Sequence, residues 1–292
     1  MRIGVNQFCF PDSYDVEQAM SAAKRLGFDT IELCLTMDRR GTGASKGGVT
    51  DALDISGYYN RLLNVSSTPA DLKQLKCIAE DLDLAIDSIG GIVSFSIFPL
   101  NAPDTVIAEK AMDAVTRMID AAQLLGAKTV LVIPGMLTPE MDYQLGYDLA
   151  QERMAKLAAY APAIQLGVEN VWNNMLYSPL ELNRFVDETG CDNLGVYFDI
   201  ANARRFGAPE QWIRTLGKRI KGLHCKDYRM SIDNINAFTN LLDGDVDYPK
   251  VIEALRQTGC DCPLVVELVP PAHYLVESAL SHARSVLHDL LK

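Results

Sequence analysis

Length, composition and charge limit what this chain can do. Its 292 residues are 48% hydrophobic and 22% charged, which is typical of a globular protein with enough apolar residues to form a core. Because 38 acidic residues face 27 basic ones, the formal charge of -11 disfavours attraction to a polyanion, and we expect a small-molecule substrate and no nucleic-acid partner.

The first predicted element is a strand at the N-terminus. The opening residues, MRIGVNQFCF, lack the basic region, the long apolar run and the cleavage site of a signal peptide. No apolar run approaches the length needed to span a membrane. The seven cysteines are odd in number and scattered, which indicates thiols in a reducing compartment. We therefore expect a cytoplasmic protein without a membrane partner, and a homo-oligomer stays open.

Strands and helices alternate along the rest of the chain. Four junctions join a glycine that ends a helix to the apolar, β-branched residues of a buried strand: LGFDTIEL at Leu26, LGAKTVLV at Leu125, TGCDNLGV at Thr189 and TGCDCPLV at Thr258. The predicted strands cover residues 3–8, 29–34, 84–91, 128–133, 164–170, 194–200, 220–225 and 263–269. The predicted helices cover residues 15–26, 70–82, 104–125, 145–162, 179–189, 210–217, 248–258 and 274–291.

Strict alternation of eight strands with helices predicts an α/β protein, a single (β/α)₈ TIM barrel that residues 1–292 form as one domain. A doubly wound sheet of the Rossmann type is the alternative. No G-x-G-x-x-G follows the first strand, which favours the barrel. The glycine-rich stretch GTGASKGG (41–48) lies in a long connection after the second strand and is interpreted as a loop.

The late strands carry ionisable residues near their C-terminal ends, where a buried strand should be apolar. They are Glu169 in IQLGVEN, Asp199 in LGVYFDI, His224 in IKGLHCKD and Glu267 in PLVVELV. In a barrel these ends face one mouth, and buried carboxylates that converge there need a cation as partner. Three oxygen ligands with one nitrogen suit Mn²⁺, Mg²⁺, Co²⁺ or Zn²⁺, of which we favour Mn²⁺. Any one such residue alone is more often a cap or an ion-pair partner, and Glu32, at the end of the second strand, is expected to be structural.

Five segments resemble the sugar phosphate isomerase/epimerase superfamily of xylose-isomerase-like barrels: VENVWN (168–173), VYFDIAN (196–202), GLHCKD (222–227), LLDGDVDY (241–248) and VVELVP (265–270). The resemblance spans nearly the whole chain and implies a metal-dependent enzyme of carbohydrate metabolism. It implies one divalent metal ion bound by Glu169, Asp199, His224 and Glu267, with Glu169 and Glu267 also acting as the acid/base pair. A divalent ion on the substrate oxygens makes a proton alpha to a ketone acidic enough for a carboxylate to remove.

The chain departs from this pattern around the substrate. Where one member, D-tagatose 3-epimerase, has a histidine three residues after the metal-binding aspartate, this chain has Asn202. Where the same enzyme has a second glutamate six residues after the first, it has Met175. An arginine follows the metal-binding histidine as Arg229. The residues expected to contact the substrate are Asn202, Arg229, Trp172, Asn173 and Lys226.

Three functions remain open. We favour an isomerase or epimerase of a small keto-sugar, free or phosphorylated, that acts through an enediolate. A metal-dependent dehydratase of a keto-polyol of the inosose type is next, because the same base and metal can expel a hydroxyl group. An apurinic-site endonuclease shares the barrel, but its three zinc ions need more histidines than the one, His224, on a predicted strand, and the acidic charge opposes DNA binding.

Overall fold

The computed structural model describes residues 1–37, 60–91, 95, 97–268 and 274–292. Eight parallel strands close into a barrel in the order β1-β2-β3-β4-β5-β6-β7-β10, and β10 pairs with β1. The predicted fold class is therefore confirmed. The glycine-rich stretch 41–48 lies outside the described residues.

The barrel strands and the helices between them follow the predicted order. The strands are β1 (Ile3–Asn6), β2 (Thr30–Cys34), β3 (Ala85–Gly90), β4 (Thr129–Val132), β5 (Gln165–Glu169), β6 (Leu194–Asp199), β7 (Ile220–Cys225), β8 (Asp227–Tyr228), β9 (Phe238–Thr239) and β10 (Leu264–Val266). The α-helices are α1 (Val16–Arg25), α2 (Pro69–Asp81), α3 (Thr105–Leu125), α4 (Tyr143–Tyr160), α5 (Pro179–Asp187), α6 (Ile200–Arg204), α7 (Pro209–Leu216), α8 (Tyr248–Thr258) and α9 (Val276–Leu291).

Local sequence signals set the ends of the outer helices. At α3 the side chain of Asp104 accepts hydrogen bonds from the backbone N–H groups of Val106 and Ile107, and the helix ends at Gly126. Gly126 has a φ of 81°, a left-handed conformation that glycine adopts without steric cost. The glycines of the other three predicted junctions also have positive φ, so the prediction of a helix-ending glycine before a strand is confirmed.

Tyr197 is a large, buried side chain in the interior of the barrel. A Cβ added to Gly222 would lie 2.3 Å from the Tyr197 ring, and one added to Gly167 would lie 2.8 Å from the Tyr197 Cβ. These two glycines therefore make room for the ring between β5, β6 and β7. Because Tyr197 is buried on β6 two residues before Asp199, it forms the floor beneath the residues at the C-terminal mouth.

Two elements after the strand ends differ from the prediction. The strand predicted to reach residue 200 ends at Asp199, whose side chain accepts a hydrogen bond from the Asn202 N–H and so starts the short helix α6. The connection after β7 contains the antiparallel pair β8 and β9, which was not predicted. In the described part of the chain, no helix is both long enough and apolar enough to cross a membrane.

Candidate metal centre and active site

Four ionisable residues converge at the C-terminal mouth of the barrel. Glu169 ends β5, Asp199 ends β6, His224 is the last residue but one of β7, and Glu267 directly follows β10. Each offers one ligand atom, and these atoms all lie within 4.8 Å of one another. Among the described residues this is the one group of three or more His, Cys, Asp and Glu side chains arranged to share an ion.

One ring nitrogen of His224 faces the carboxylates. Its Nδ1 lies 3.5 Å from Glu169 Oε1, 3.9 Å from Asp199 Oδ2 and 3.4 Å from Glu267 Oε2. Nδ1 is buried and has no hydrogen-bond partner among the described residues. A buried polar atom without a partner is unfavourable, so this nitrogen points into the cluster as a ligand that an ion would satisfy.

Lys226 is the nearest cation to this cluster. Its ammonium is buried and pairs with Asp199 Oδ2, and it lies 2.5 Å from Glu267 Oε2. Burial alone would lower the pKa of Lys226, but the charges of Asp199 and Glu267 outweigh burial and raise it. Three carboxylates against one ammonium leave negative charge in excess when the imidazole is neutral. The cluster therefore still favours a cation after Lys226 is counted.

The pKa values of two cluster residues show the same excess of negative charge. Burial raises the pKa of Glu169, and the neighbouring charges of Glu267 and Asp199 raise it further. For His224, burial would lower the pKa, but the charges of Glu267 and Glu32 outweigh it, and the pKa is well above the usual value. The cluster thus draws in protons in the absence of another cation.

Glu32, expected to be structural, lies directly behind the cluster. Its Oε1 accepts hydrogen bonds from Asn6 Nδ2 at 2.6 Å and pairs with His224 Nε2 at 2.8 Å. Its Oε2 accepts hydrogen bonds at 2.6 Å from Ser88 Oγ and from the Tyr197 hydroxyl. Burial alone would raise the pKa of Glu32, but the charge of His224 and the hydrogen bonds from His224, Ser88 and Tyr197 outweigh burial and lower it.

The backbone around Asp199 is fixed by side chains. Asn170, next to Glu169, donates its Nδ2 to the Asp199 carbonyl at 2.9 Å and accepts the Asp199 N–H at 2.7 Å through Oδ1. The Asp199 Oδ1 accepts the Asn202 N–H at 2.7 Å, which leaves Oδ2 toward the cluster. The ends of β5 and β6 are therefore held at a set distance, and two candidate ligands with them.

Asp227 organises the loop that follows β9. Its buried carboxylate accepts backbone N–H groups of Tyr228 at 2.8 Å, Val246 at 3.0 Å and Leu242 at 3.1 Å. A Cβ on Gly244 would lie 2.3 Å from Asp227 Oδ1, so only glycine fits there. This explains the motif LLDGDVDY in structural terms: Asp227, one residue after Lys226, anchors the loop to the mouth.

The residues expected to contact the substrate lie in different environments. Trp172 is nearly buried, donates its Nε1 to the Asn202 carbonyl at 3.2 Å and packs against Tyr228 and Phe238. Asn173 is buried and donates its Nδ2 to the Gly135 carbonyl at 2.8 Å, which joins two loops of the mouth. The structure thus places both of these side chains in the wall of the mouth.

Asn202 and Arg229, which are also expected to contact the substrate, differ in their burial. Asn202 is buried, and its side-chain amide makes no hydrogen bond to the described part of the chain. Arg229 is exposed and donates its Nε to the Asp243 carbonyl at 2.7 Å, within the loop after β8. No contact joins Arg229 to the four clustered residues among the residues that the structure describes, whereas Lys226 contacts two of them.

A second arginine, Arg205, was not predicted. Its guanidinium lies over the Trp172 ring, 4.5 Å from the centroid, and pairs with Asp233 at 2.9 Å. Phe238 stacks on Trp172 with centroids 5.1 Å apart, and the Lys226 ammonium lies 5.1 Å from the Phe238 centroid. A cation, two rings and a second cation therefore line one side of the mouth. The short helix α6, which places Arg205, leaves no periodic signal in the sequence.

The residues present fit a divalent metal ion. Three carboxylates and an imidazole supply the mixture of hard oxygen and borderline nitrogen donors that Mn²⁺, Mg²⁺, Co²⁺ and Zn²⁺ accept. Nδ1 of His224 is a buried nitrogen without a hydrogen-bond partner in the described structure, and a metal ion could fill that role. The excess negative charge of the cluster attracts a cation. The cluster could therefore hold one such ion.

Fold and cluster together define a TIM barrel with a candidate metal centre at its C-terminal mouth. Residues 20–285 match the family described as xylose isomerase-like TIM barrel, and the chain belongs to this family. The resemblance seen in the sequence motifs is thereby confirmed. The uncharacterized protein MJ1311 of Methanocaldococcus jannaschii is 23% identical over an alignment of 172 residues that covers 55% of this chain and 57% of that protein. The chain thus spans little more than half the length of this curated relative.

Solved structures share the fold over the whole length. A D-tagatose 3-epimerase-like protein aligns with a TM-score of 0.78 and 18% identity over 100% of this chain and 97% of its own. An L-ribulose 3-epimerase gives 0.75 and 19% over 99% and 94%. A D-psicose 3-epimerase from Clostridium cellulolyticum H10, solved with D-tagatose, gives 0.75 and 15% over 100% of both chains.

Proposed function

We propose that this protein is a divalent-metal-dependent isomerase or epimerase of a small keto-sugar, free or phosphorylated. The observation that carries the proposal is the buried cluster of Glu169, Asp199, His224 and Glu267 at the C-terminal mouth, the end at which TIM barrels place their active sites. The structures that share the fold include 3-epimerases named for the ketoses tagatose, ribulose and psicose, which supports a ketose as substrate.

The proposed metal ligands are the same four residues, and we favour Mn²⁺. Bound there, a divalent ion would supply a Lewis acid toward the oxygen atoms of the substrate. His224 would use Nδ1, the atom that faces the three carboxylates. Asp199 would use Oδ2, because its Oδ1 is engaged by the Asn202 N–H.

Glu169 and Glu267 are the proposed acid/base pair. They belong to β5 and to the end of β10, with β6 and β7 between them, so they can reach a substrate over the mouth from two sides. One glutamate, as a carboxylate, removes the proton from the carbon next to the ketone, and the other, as a carboxylic acid, donates its proton to the enediolate at the opposite face. The raised pKa of Glu169 suits a group that must both accept and release a proton.

Lys226 and Asn202 are the proposed contacts nearest the reacting end of the substrate. The Lys226 ammonium lies beside Asp199 and Glu267, where it can donate a hydrogen bond to a hydroxyl or anionic oxygen. Asn202 occupies a buried position three residues after Asp199, and its backbone N–H donates to the Asp199 carboxylate. Trp172 and Asn173 would act as wall residues that keep these groups in place.

Arg229 is proposed to bind the far end of the substrate from the exposed loop after β8. Because this contact would be the same in the ground state and the transition state, Arg229→Met should raise KM with little change in kcat. The matched control is Arg256→Met, which removes an exposed arginine from the outer helix α8. Kinetics of Arg229→Met equal to those of the control would remove Arg229 from the site.

The activity can be tested by isotope exchange. Metal-loaded protein is incubated in D₂O with a panel of ketoses, ketose phosphates and inososes, and deuterium uptake and product mass are measured. Uptake of deuterium without loss of water from the product supports the isomerase or epimerase. Loss of the mass of one water molecule identifies the dehydratase of a keto-polyol. Exchange of no substrate in the panel by metal-loaded protein contradicts both.

The metal centre is tested separately by elemental analysis. Protein reconstituted with Mn²⁺ should retain about one equivalent per chain, as expected for a single site. His224→Ala should lose that ion while its far-ultraviolet circular dichroism stays close to wild type, because the barrel core does not depend on its mouth. His282→Ala, on the outer helix α9, is the control and should keep the ion. Three zinc ions per chain would instead favour the endonuclease, for which the described residues provide no second cluster.

We further propose that residues 1–292 act as one domain in the cytoplasm, with a carbohydrate as the small-molecule partner. The family match over residues 20–285 supports one domain. Limited proteolysis of the native protein should yield no pair of stable fragments, and cell fractionation should recover the protein with cytoplasmic markers.

A further inference from the structure

Both carboxylate oxygens of Glu32, behind the mouth, have hydrogen-bond partners. Glu32 lies inside the barrel on β2, is 0% exposed, and faces four side chains from four other strands. Three of them are neutral donors that engage both of its oxygens, and the fourth is the His224 ring. A carboxylate buried this deeply is stable only with such partners, so the barrel interior is arranged to keep an ionised group at this point.

The two nitrogens of His224 have opposite surroundings. Nε2 lies 2.8 Å from Glu32 Oε1, whereas Nδ1 lies among Glu169, Asp199 and Glu267 with no hydrogen-bond partner in the described structure. A neutral imidazole carries one proton, and an ionised carboxylate can only accept. Glu32 therefore favours the form of the ring with the proton on Nε2 and the lone pair on Nδ1, directed at the cluster.

We propose that Glu32 is a positioning residue of the metal centre: through its contact with His224 Nε2, it sets the ring orientation and the protonated nitrogen that let Nδ1 bind a divalent ion. The inference rests on the metal centre of the proposed function and adds a residue that does not itself touch the ion. A carboxylate that accepts a hydrogen bond from a histidine ligand also makes the ring nitrogen a stronger metal ligand. Loss of such a partner typically lowers metal affinity about 10-fold to 100-fold.

The neighbours of Glu32 show what holds it in place. Asn6 is directly opposite Glu32 in the pairing of β1 and β2, and Ser88 is opposite Glu32 in the pairing of β2 and β3. The third donor, Tyr197, reaches Glu32 across the barrel centre in the space left by Gly222. Donors thus reach Glu32 from both adjacent strands and from across the barrel, and the ring of His224 completes the set.

Metal affinity of matched variants tests the inference. Glu32→Gln keeps the size and one acceptor oxygen but removes the negative charge, and Ser88→Ala removes a donor from the same network while it leaves the carboxylate against His224. Binding of Mn²⁺ to metal-free wild type and to each variant is measured by titration, and the melting temperature of each metal-free protein is recorded. We expect Glu32→Gln to bind Mn²⁺ about 10-fold to 100-fold more weakly, and Ser88→Ala to stay within a few-fold of wild type.

The outcomes separate this inference from the metal centre itself. If wild type binds no Mn²⁺, both the centre and the role of Glu32 are overturned. If wild type binds and Glu32→Gln binds equally well, only the role of Glu32 is overturned. An equal loss of affinity in Glu32→Gln and Ser88→Ala would show general loosening of the network, which also contradicts a specific role. Glu32→Asp, which keeps the charge, should recover part of the affinity if Glu32→Gln proves too unstable to titrate.

Discussion

The two ends of the barrel both carry ionisable residues, yet they are built differently. At the N-terminal end, a cavity of about 640 Å³ is lined by residues of both signs, including Arg2, Lys128, Asp87 and Asp261. Arg2 pairs with Asp87, and the Arg2 side chain keeps 43% of its exposure. At the C-terminal end, three carboxylates cluster beside one buried ammonium, which pairs with two of them. Ionisable residues alone do not define a site; burial with uncompensated charge does.

Burying uncompensated charge lowers the stability of the fold, and the protein does so only at the C-terminal end. The Arg2 side chain keeps contact with water, so its pair with Asp87 is partly screened even though the Asp87 side chain is only 11% exposed. Buried carboxylates without a full set of partners destabilise the metal-free fold. An ion that binds to them removes this repulsion and so stabilises the folded protein. The C-terminal cluster is therefore the place where binding of a cation should change stability most.

The largest expected effect is on the proposed acid/base pair. Glu169→Gln and Glu267→Gln keep the side-chain size but remove the basic carboxylate, so kcat should fall by roughly 10²-fold to 10⁴-fold with metal retained. Exchange of the alpha hydrogen of the substrate with D₂O is measured on samples of known metal content. Glu152→Gln, an exposed residue of α4 that pairs with Lys156, should exchange at the wild-type rate.

A metal-replete double variant, with Gln at both Glu169 and Glu267, makes the test strict. If this double variant exchanged the alpha hydrogen at the wild-type rate, another base would be responsible. The difference between the two barrel ends would then not explain catalysis. If each single variant lost its metal as well, the loss of activity would report on the ligands, which is why metal content is measured on the same samples.

A smaller effect is expected when Lys226 is replaced. Lys226→Met removes the one buried ammonium beside Asp199 and Glu267, and loss of one partner of a buried ion pair typically destabilises a protein by about 3–5 kcal/mol. The metal-free variant should therefore melt below wild type. Because the cluster then has a larger excess of negative charge, Mn²⁺ should raise the melting temperature of Lys226→Met by more than it raises that of wild type.

The control for Lys226 lies at the other end of the barrel. Lys221 is also on β7 but lines the N-terminal cavity, so Lys221→Met should leave the effect of Mn²⁺ on melting unchanged. Equal stabilisation by Mn²⁺ in wild type and Lys226→Met would mean that Lys226 and the ion do not share the charge of Asp199 and Glu267.

Whether the role of a residue in the barrel can be predicted from the sequence depends on how far along the chain its partners lie. Glu169, Asp199, His224 and Glu267 could be predicted because each is an ionisable residue at the end of a buried strand, a local feature. Glu32 has the same local feature, but its partner His224 is 192 residues away. Their contact depends on closure of the barrel and on which face of each strand points inward, and a strand pattern that is apolar on both faces does not reveal that face.

The mouth loops were the least predictable part for a related reason. The pair β8 and β9 has two residues in each strand, too few for a period to appear, and it is held by backbone N–H groups that converge on Asp227. The position of Arg205 follows from α6, which Asp199 starts through a single hydrogen bond. The family resemblance pointed to Arg229, which follows His224 in the sequence, and the guanidinium that lies on the aromatic wall of the mouth belongs to Arg205.

The smallest effect is expected at the N-terminal end. Asp87→Asn removes the charge that pairs with Arg2, and because the Arg2 side chain is 43% exposed while that of Asp87 is 11% exposed, the free energy of unfolding should fall by about 1 kcal/mol. Activity and Mn²⁺ affinity should stay within twofold of wild type, roughly the scatter of such measurements, because Asp87 lies at the opposite end of the barrel from the cluster. Denaturant unfolding, Mn²⁺ titration and the D₂O exchange rate are measured on the same preparation, with Arg2→Met as the partner variant. A loss of Mn²⁺ affinity as large as that of Glu32→Gln would mean that the two ends of the barrel are coupled. The cluster could then no longer be treated as a site whose properties arise from burial and charge at its own end.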